Sequence, residues 1–340
     1  MNKNIIQNVR LLKETNIKGL KNRYKGKVRD NYFTDGNMIM IATDRISAFD
    51  HILSRQIPFK GQVLTSIMKQ QADSICDIIP HNYFDMPDPQ VLVVRNCKPY
   101  NIELVVRGYI TGGLWRDYKG KGPIKTGNQY GITLPFSMKE NQKFAQPIIT
   151  PTTKSKEDIP VSRKEIISKI LLRDLKKIGK KQGPNPFYIP HQEYDYIVEK
   201  ALEIFKRGQQ LALEKNLILV DTKYEFGSIN NKLYIIDEVH TPDSSRFWYA
   251  DRYDFLFKRG KKQKALSKEF VREWLIKQGY DETIGASSLT DLTKEMINET
   301  LLRYINLYEK LTGKDFIPGD MSMPLEKRIT NNLRIAGYLK

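Results

Sequence analysis

Residues 217–248 read LILVDTKYEFGSINNKLYIIDEVHTPDSSRFW, and this stretch decides the fold. Apolar and polar side chains alternate along 217–226, and a second apolar run, 232–239, follows a segment of Gly, Ser and Asn. A period of two predicts β-strands, and the turn residues between them predict a hairpin. The second strand ends in an acidic pair that begins at Asp237, and Arg246 follows across a Thr-Pro-Asp turn. The stretch therefore predicts two strands followed by a loop with charged residues at both ends.

The carboxylates of this hairpin allow two interpretations. Strand alternation places Asp221, Lys223 and Glu225 on one face, and in one register Glu225 lies beside Asp237. Two neighbouring carboxylates repel unless a cation or a proton lies between them, and hard oxygen ligands of this kind suit Mg²⁺ that bridges nucleotide phosphates. A solvated hairpin end, or an ion pair of Glu225 with Lys223, explains the same residues, and spacing alone does not decide between them.

A first hairpin lies near the N-terminus. Two alternating apolar runs flank the turn TDGN, residues 34–37, and an Asp-Gly pair in that position predicts a type I′ turn with positive φ at both central residues. Before it, GKVRD places Lys27 and Arg29 on one strand face beside Gly26. This pattern fits a flap over a polyphosphate but is not a Walker A loop. An exposed basic strand is the alternative.

Another glycine-rich motif, RGYITGG, ends a predicted strand at residues 107–113. Glycines free backbone N–H groups to face an anion, and an arginine binds a phosphate or carboxylate with two parallel hydrogen bonds. A plain glycine-rich turn with a surface arginine explains the motif as well. The passage 111–160 has little periodicity, which predicts a functional loop region.

The remaining periodicity predicts helices. Ser162 and Glu165 form a capping-box pattern at the start of the helix predicted over 162–178. The predicted helices span 63–75, 162–178, 193–215, 267–278 and 293–311. With strands dominating the first 110 residues, these helices predict an α+β fold of two lobes for a chain of 340 residues.

The chain is basic, with 56 Lys and Arg against 39 Asp and Glu and a net charge of +17. One explanation is nucleic-acid binding; the other is a lysine-solvated surface around a site for small anions. No aromatic-basic nucleic-acid motif accompanies the charge, which favours the second. Two cysteines without CxxC spacing and four scattered histidines indicate neither a disulfide framework nor a zinc site. The absence of a leader pattern or a long apolar run predicts a cytoplasmic protein without membrane contact.

Six stretches taken together resemble the SAICAR synthetases of purine biosynthesis, the phosphoribosylaminoimidazole-succinocarboxamide synthases. In chain order they are GKVRD (26–30), ATDRISAFD (42–50), ELVVRGYITGG (103–113), PIITPTTKS (147–155), DTKYEFG (221–227) and DEVHTPDSSRFW (237–248). The resemblance implies a small antiparallel β-rich lobe over 1–110, a larger α+β lobe over 111–340, and ATP in the cleft between them. It also implies an ATP-dependent ligase that joins L-aspartate to the carboxylate of carboxyaminoimidazole ribonucleotide (CAIR) through an acyl phosphate.

The resemblance further implies roles for single residues. The catalytic group comprises Lys223, Glu225 and Asp237, with Glu225 and Asp237 also binding Mg²⁺. The residues implied for ATP are Lys27, Val28, Arg29, Lys98 and Asn101. Those implied for the substrates CAIR and L-aspartate are Asp50, Arg107, Gly113, Lys154, Asp158, Asp221, Asp243 and Arg246. No role follows for His240, and the oligomeric state does not follow from the sequence.

The chain departs from the family pattern at three places. Gly113 replaces a frequent serine, which predicts a backbone contact to CAIR instead of a hydroxyl contact. Glu157-Asp158 replaces a frequent His-Asp pair and leaves the aspartate contacts open. The basic stretch 171–190 predicts a surface elaboration. A small-molecule kinase on a related scaffold is an alternative function, but it has no use for the TPDSSR loop.

Overall fold

The chain folds around two antiparallel β-sheets in the computed structural model, which describes residues 9–155, 158–173, 175, 179, 183–281 and 283–340. The strands are β1 (Arg23–Lys25), β2 (Arg29–Phe33), β3 (Asn37–Ala42), β4 (Arg45–Ala48), β5 (His51–Gln56), β6 (Tyr83–Asp88), β7 (Val91–Arg95), β8 (Lys98–Pro99), β9 (Ile102–Tyr109), β10 (Lys143–Thr153), β11 (Leu217–Ile229), β12 (Lys232–Ile236) and β13 (Ser245–Tyr249). The helices are α1 (Lys60–Asp73), α2 (Gly112–Asn128), α3 (Arg163–Ile166), α4 (His191–Leu213), α5 (Ala250–Lys258), α6 (Glu269–Lys277), α7 (Lys294–Thr312) and α8 (Leu325–Ile335).

The first sheet has the strand order β1-β2-β3-β7-β6 and is covered on both faces. Alternation along β3 explains this: Met40 packs with α1, whereas Ile39 and Ile41 pack with α8. The predicted hairpin between β2 and β3 is confirmed. The predicted turn type is wrong, because only Gly36 of the two central residues has a positive φ, of 78°.

Strand β11 is the centre of the second sheet, which has the order β10-β9-β11-β12 with β13 and β8 also paired to β11. The predicted hairpin of β11 and β12 is confirmed, but its turn is shorter than predicted. The pairing continues to Ile229 opposite Lys232, because Asn230 and Asn231 both take left-handed backbone angles, with φ of 48° and 62°. Residues 96–101 connect the two sheets, so β9 belongs to the second one.

The structure corrects two predicted segments. Residues 111–160 are not a loop region, since they contain α2 and β10. Helix α2 escaped detection because a φ of 77° at Gly122 and the following Pro123 interrupt it. The helix predicted over 162–178 has its capping box at Ser162, but it ends at Ile166 because Ile170 forms a β-bridge with Pro184. Part of that range lies outside the described residues.

The other predicted helices are confirmed as α1, α4, α6 and α7. Their apolar faces, spaced three and four residues apart, form the largest core together with β9 and β11. The described part of the chain contains no helix with the length and apolar character that a membrane span requires.

Candidate active site

Strands β9 and β11 create the centre of the candidate site. Their antiparallel register places Arg107 opposite Asp221 and Val105 opposite Lys223. Because side chains alternate, Glu103 and Arg107 from β9 lie on the same face as Asp221, Lys223 and Glu225 from β11. One face of this strand pair therefore carries a row of acidic and basic side chains.

At one end of the row, Lys223 links two carboxylates. Its Nζ lies 2.7 Å from Oε1 of Glu103 and 2.9 Å from Oε1 of Glu225. The second oxygen of Glu225 pairs with the ammonium of Lys154, the residue that follows β10. The sequence left open an ion pair between Glu225 and Lys223, and the structure contains that pair.

The two carboxylates differ in their electrostatic surroundings. Burial opposes ionisation of Glu225, but the ammonium groups of Lys223 and Lys154 hold its pKa well below the usual range. Burial raises the pKa of Glu103 to about 7, and Lys223 is its one ion-pair partner among the described residues. Its Oε2 is buried without a hydrogen-bond partner among the described residues. Glu103 was not predicted as a site residue, although the spacing of Glu103 and Arg107 in ELVVR indicates that both side chains lie on one face of the strand.

Asp237 follows the end of β12, where the strand stops at Ile236. Glu225 pairs with Ile236, so Asp237 is displaced by one position from Glu225, and it has a left-handed φ of 64°. Its carboxylate pairs with the guanidinium of Arg29, which also pairs with Glu238. Its charge is close enough to raise the pKa values of Lys154 and Lys223, so the two predicted metal ligands share one electrostatic environment.

Whether this environment suits Mg²⁺ depends on its donors. Among the residues that the structure describes, no group of three or more His, Cys, Asp or Glu side chains could hold a metal ion. However, Mg²⁺ in nucleotide sites is usually bound by one or two carboxylates together with phosphate oxygens and water. Glu225 and Asp237 are two such hard donors, and three side-chain cations already neutralise them. The donor set therefore fits a magnesium ion that shares its ligands with a polyphosphate.

The predicted flap is the tight connection between β1 and β2. Arg45, which is buried, donates from Nε to the carbonyl oxygen of Lys27 at 3.1 Å and from Nη2 to that of Gly26 at 3.0 Å. The carbonyl oxygen of Val28 accepts from the backbone N–H and the hydroxyl of Thr43. Hydrogen bonds from Arg45 and Thr43 thus hold the carbonyl groups of the flap in place. The side chain of Lys27 remains half-exposed and pairs with Asp50 at 2.5 Å.

The predicted ATP-side residues between the sheets lie apart from this charged row. Lys98 lies in the short strand β8 and is exposed. Its backbone position is opposite Ser228 of β11. Asn101 donates from Nδ2 to the carbonyl oxygen of Pro186 at 2.9 Å, and its own carbonyl oxygen accepts from the backbone N–H of Lys154. The segment therefore lies along β11, and its backbone is hydrogen-bonded to that strand and to Lys154.

At the other end of the row lies a group of arginines. Arg107 Nη1 lies 3.3 Å from Oδ2 of Asp221, and the same oxygen pairs with Arg246. Arg246 also donates to Oε2 of Glu269 at 2.9 Å. Three predicted substrate-side residues are therefore in contact with one another, and Glu269 joins them.

Two glycines at the start of α2 explain the RGYITGG motif. Gly112 has a φ of 57°, and a Cβ atom there would collide with the guanidinium of Arg246. A Cβ atom at Gly113 would meet only Arg116, at 3.7 Å. The first N–H groups of an α-helix lack intrahelical acceptors and attract anions. Gly112 therefore lets Arg246 approach a helix N-terminus, whereas Gly113 leaves open space there.

Helix α6 adds residues that the sequence did not single out. Arg272 Nη1 lies 3.4 Å from Oε2 of Glu269, the oxygen that also binds Arg246. The Nε atoms of Arg246 and Arg272 are both buried without a partner among the described residues. Burial lowers the pKa of the neighbouring Lys268 to about 8. The four-residue spacing of Lys268 and Arg272 indicates that both side chains lie on one face of a helix. The sequence does not show that α6 reaches the TPDSSR loop.

Two remaining predicted residues differ in exposure. Asp243 is buried, and its carboxylate accepts from Nζ of Lys60 at 2.8 Å and from the hydroxyl of Tyr304 at 2.7 Å. Asp158 is exposed; partial burial of its carboxyl group raises its pKa, on which the nearby charges of Lys223, Asp50 and Lys27 also act. Glu157, the other member of the predicted aspartate-side pair, lies outside the described residues.

Residues 22–287 match the SAICAR synthetase family. The chain is 43% identical over 314 residues to the phosphoribosylaminoimidazole-succinocarboxamide synthase of Azobacteroides pseudotrichonymphae, which covers 91% of this chain and 90% of that protein. It belongs to the SAICAR synthetase family. The solved SAICAR synthase of Saccharomyces cerevisiae complexed with SAICAR is 28% identical, has a TM-score of 0.70, and covers 90% of this chain and 100% of its own. A SAICAR synthetase solved with ADP, 21% identical with a TM-score of 0.61, covers 87% and 100% and has the same fold.

Membership of the SAICAR synthetase family confirms the resemblance drawn from the six motifs. It also confirms the predicted α+β fold class and the prediction of an ATP-using ligase in purine biosynthesis. The roles of single residues are not tested by these similarities, and they stay predictions that the geometry of the site must support.

Proposed function

We propose that the protein joins L-aspartate to the carboxylate of CAIR to give SAICAR, with ATP and Mg²⁺, through an acyl phosphate. The observation that carries the proposal is the row of charges on one face of β9 and β11. Lys223 and Glu225 lie at one end, and the arginines around Asp221 lie at the other. Asp221 and Glu225 are four positions apart along the strand, or about 13 Å. This span accommodates a ribonucleotide with its phosphate at the arginines and its carboxylate at Lys223.

The reaction begins with activation of a poor acyl donor. A carboxylate oxygen of CAIR attacks the γ-phosphorus of ATP, the bond between that phosphorus and the β,γ-bridging oxygen breaks, and ADP leaves. The amine of aspartate then attacks the acyl carbon, and inorganic phosphate leaves as the amide forms. Phosphoryl transfer of this kind depends mainly on positioning and on neutralising charge. Lys223, which burial and its two carboxylates keep in place, is suited to both tasks at the transferring group.

The ATP side of the site lies between the lobes 1–110 and 111–340. Lys27 and Arg29 of the flap lie over the phosphates, with the backbone of Val28 beside them, and the segment from Lys98 to Asn101 meets adenine through its backbone. Glu225 and Asp237 would hold Mg²⁺, which would supply positive charge to the phosphates of the nucleotide. Arg29 pairs with Asp237 and Glu238, so the flap already contacts the metal side of the cleft. A related SAICAR synthetase was solved in complex with ADP, which supports the use of an adenine nucleotide.

The CAIR side of the site lies at the N-terminus of α2. Arg107 and Arg246 bind the phosphate and carboxylate region, and the buried unpartnered Nε–H groups of Arg246 and Arg272 provide further donors. Gly113 contributes its backbone rather than a hydroxyl, while Asp50, Asp221 and Asp243 shape the surroundings. A charge-assisted hydrogen bond to a phosphate is about twice as strong as a neutral one. This end therefore provides much of the binding energy for an anionic nucleotide.

Aspartate enters beside Lys154 and Asp158. Lys154 already pairs with Glu225, and its ammonium supplies positive charge for a carboxylate of the incoming amino acid. The departure at Glu157-Asp158 makes Lys154 the better-supported contact. We place the reaction in the cytoplasm with small-molecule substrates alone, because the proposed ligation requires only CAIR, L-aspartate and ATP.

An isotope experiment tests the proposed route. Purified protein should form ADP only when CAIR and aspartate are both present. With ¹⁸O in the carboxylate of CAIR, one labelled oxygen should appear in the released phosphate, because the carboxylate oxygen becomes part of the acyl phosphate. ADP release that needs CAIR but not aspartate would support the kinase alternative. Phosphate without label would refute the acyl phosphate.

A further inference from the structure

A loop between β12 and β13 connects the two functional ends of the site. It begins at Asp237, on the metal side, and leads into β13, where Arg246 lies on the CAIR side. Two of its residues that are not glycine, Asp237 and His240, have left-handed φ values of 64° and 51°. Such angles are unfavourable for residues other than glycine and persist where the surrounding structure holds them. Something outside the loop must therefore fix its shape.

Asp243 is the buried anchor in the middle of this loop. One carboxylate oxygen accepts from Nζ of Lys60 at 2.8 Å, and the other accepts from the hydroxyl of Tyr304 at 2.7 Å. Lys60 and Tyr304 are both fully buried, so neither group has water as an alternative partner. Despite burial, the ammonium of Lys60 holds the pKa of Asp243 well below its usual range. The loop is thus attached through a buried ion pair and a charge-assisted hydrogen bond.

The two partners come from helices that pack against each other. Lys60 lies at the start of α1, and Tyr304 lies in the middle of α7. The loop is held from a third side by α6, since the backbone N–H of Lys268 donates to the carbonyl oxygen of Pro242 at 3.0 Å. Tyr304 lies beyond residues 22–287, the part of the chain that matches the family, whereas Lys60 and Asp243 lie within it.

We infer that Lys60 and Tyr304 are positioning residues, which act through Asp243 to hold Asp237 and Arg246 at the separation that the reaction requires. The inference rests on the proposed function for its substrates. In this arrangement helix α7 belongs to the machinery of the site without touching either substrate. Asp243 holds the middle of the loop in place, because each of its carboxylate oxygens accepts a hydrogen bond from a side chain of the protein.

Tyr304→Phe tests this inference by removing one hydroxyl and leaving the ring in place. Loss of a hydrogen bond to a charged group should lower kcat/KM for CAIR by about 10-fold or more, through the loop that leads to Arg246. Tyr249→Phe is the matched control, because it removes a hydroxyl bond of 3.1 Å between β13 and Asn306 of the same helix α7. Tyr249→Phe should leave kcat and both KM values within about 2-fold of the wild type.

A purely structural role would lower the melting temperature of both variants and leave the kinetic constants of the folded enzyme unchanged. Equal kinetics of Tyr304→Phe and Tyr249→Phe would therefore overturn the inference. Asp243→Asn provides a second reading that does not depend on how well Tyr304→Phe folds. It should raise the KM for CAIR, and adding Tyr304→Phe to it should cost little more, because both changes release the same anchor. A normal KM for CAIR in Asp243→Asn, or full additivity, would also overturn it.

The wild-type enzyme separates this inference from the proposed function. If wild type fails to form SAICAR from CAIR, aspartate and ATP, the proposed function is wrong. If wild type is active and Tyr304→Phe has wild-type constants, only the positioning role is wrong.

Discussion

Replacing Glu225 with glutamine removes one negative charge from the centre of the site without changing its shape. In the protein, both carboxylate oxygens of Glu225 pair with ammonium groups, from Lys223 at 2.9 Å and from Lys154. The side chain is only 7% exposed, so water replaces little of what is lost. The expected effect is a large loss of activity, because the change removes a proposed metal ligand and the counter-charge of two lysines together.

The magnitude follows from burial. Removing one partner of a buried ion pair costs about 3–5 kcal/mol, since a charge is left without compensation. If that deficit applies where the phosphoryl group is transferred, the rate falls by about 10²–10⁴, at about 1.4 kcal/mol for each factor of ten. Glu225→Gln should therefore show a kcat lower by about this factor.

Glu103→Gln is the matched control for this change. Glu103 also pairs with Lys223, at 2.7 Å, so its replacement breaks an ion pair of the same kind on the same lysine. It is not a proposed metal ligand, and burial raises its pKa to about 7, so glutamine resembles a protonation state that the wild type already samples. Loss of Glu103 should therefore cost less and leave the Mg²⁺ dependence of the rate unchanged.

The assay is ADP release at saturating CAIR and aspartate, titrated with Mg²⁺ for wild type, Glu225→Gln and Glu103→Gln. We expect the Mg²⁺ concentration for half-maximal rate to rise strongly only in Glu225→Gln. Two results would refute the reasoning: a Mg²⁺ titration of Glu225→Gln that superimposes on that of the wild type, or equal shifts in both variants. In either case Glu225 would be a partner of Lys223 and not a metal ligand.

Three further predictions concern the CAIR end of the site and the loop. Arg272→Gln should raise the KM for CAIR about 10–100-fold in steady-state kinetics, because a buried charged donor is lost. Gly112→Ala should lower CAIR affinity in calorimetry, since its Cβ atom collides with Arg246 at a backbone φ of 57°, whereas Gly113→Ala should leave it unchanged. The unfolding free energy in urea should fall by about 2 kcal/mol between pH 7 and pH 5 on account of His240, whose pKa burial lowers to about 3.

The predictions for Arg272 and for the two glycines each have a control and an outcome that would contradict them. For Arg272→Gln the KM for ATP should stay constant, and a parallel rise in both constants would contradict a local role. For the glycine pair, equal affinities in the two variants would contradict the collision.

For His240 the sign follows from its lowered folded pKa. Its stabilisation is complete above about pH 6.5 and is lost as the pH falls toward its folded pKa, because protons bind the unfolded state first. His240→Gln should flatten this slope, and an unchanged slope would show that other groups dominate it.

The periodic parts of the structure were predictable from the sequence. The hairpin of β11 and β12 follows from a period of two, and α4 follows from apolar residues three and four apart. Helix α2 was not predicted, because Gly122 and Pro123 break its pattern. The end of α3 at Ile166 was also missed, because a tertiary bridge, from Ile170 to Pro184, overrides local propensity there.

The residues of the candidate site also divide into those that the sequence predicted and those that it did not. The motifs identified Lys223, Glu225 and Asp237, because phosphoryl transfer needs cations and carboxylates in a recognisable order along the chain. They did not identify Glu103 or Arg272, whose importance depends on which atoms lie beside them.

The sequence by itself determined the family, the two hairpins and the chemical types of the site residues, because these properties are carried by local order along the chain. Only the tertiary structure decided the pairing of Lys223 with two carboxylates, the approach of Arg246 to the start of α2, and the anchoring of Asp243 by Lys60 and Tyr304. The physical reason is that burial and ion pairing depend on distances between residues far apart in sequence. Tyr304 and Lys60 meet at one carboxylate only because α1 and α7 pack together, and no local pattern records that packing.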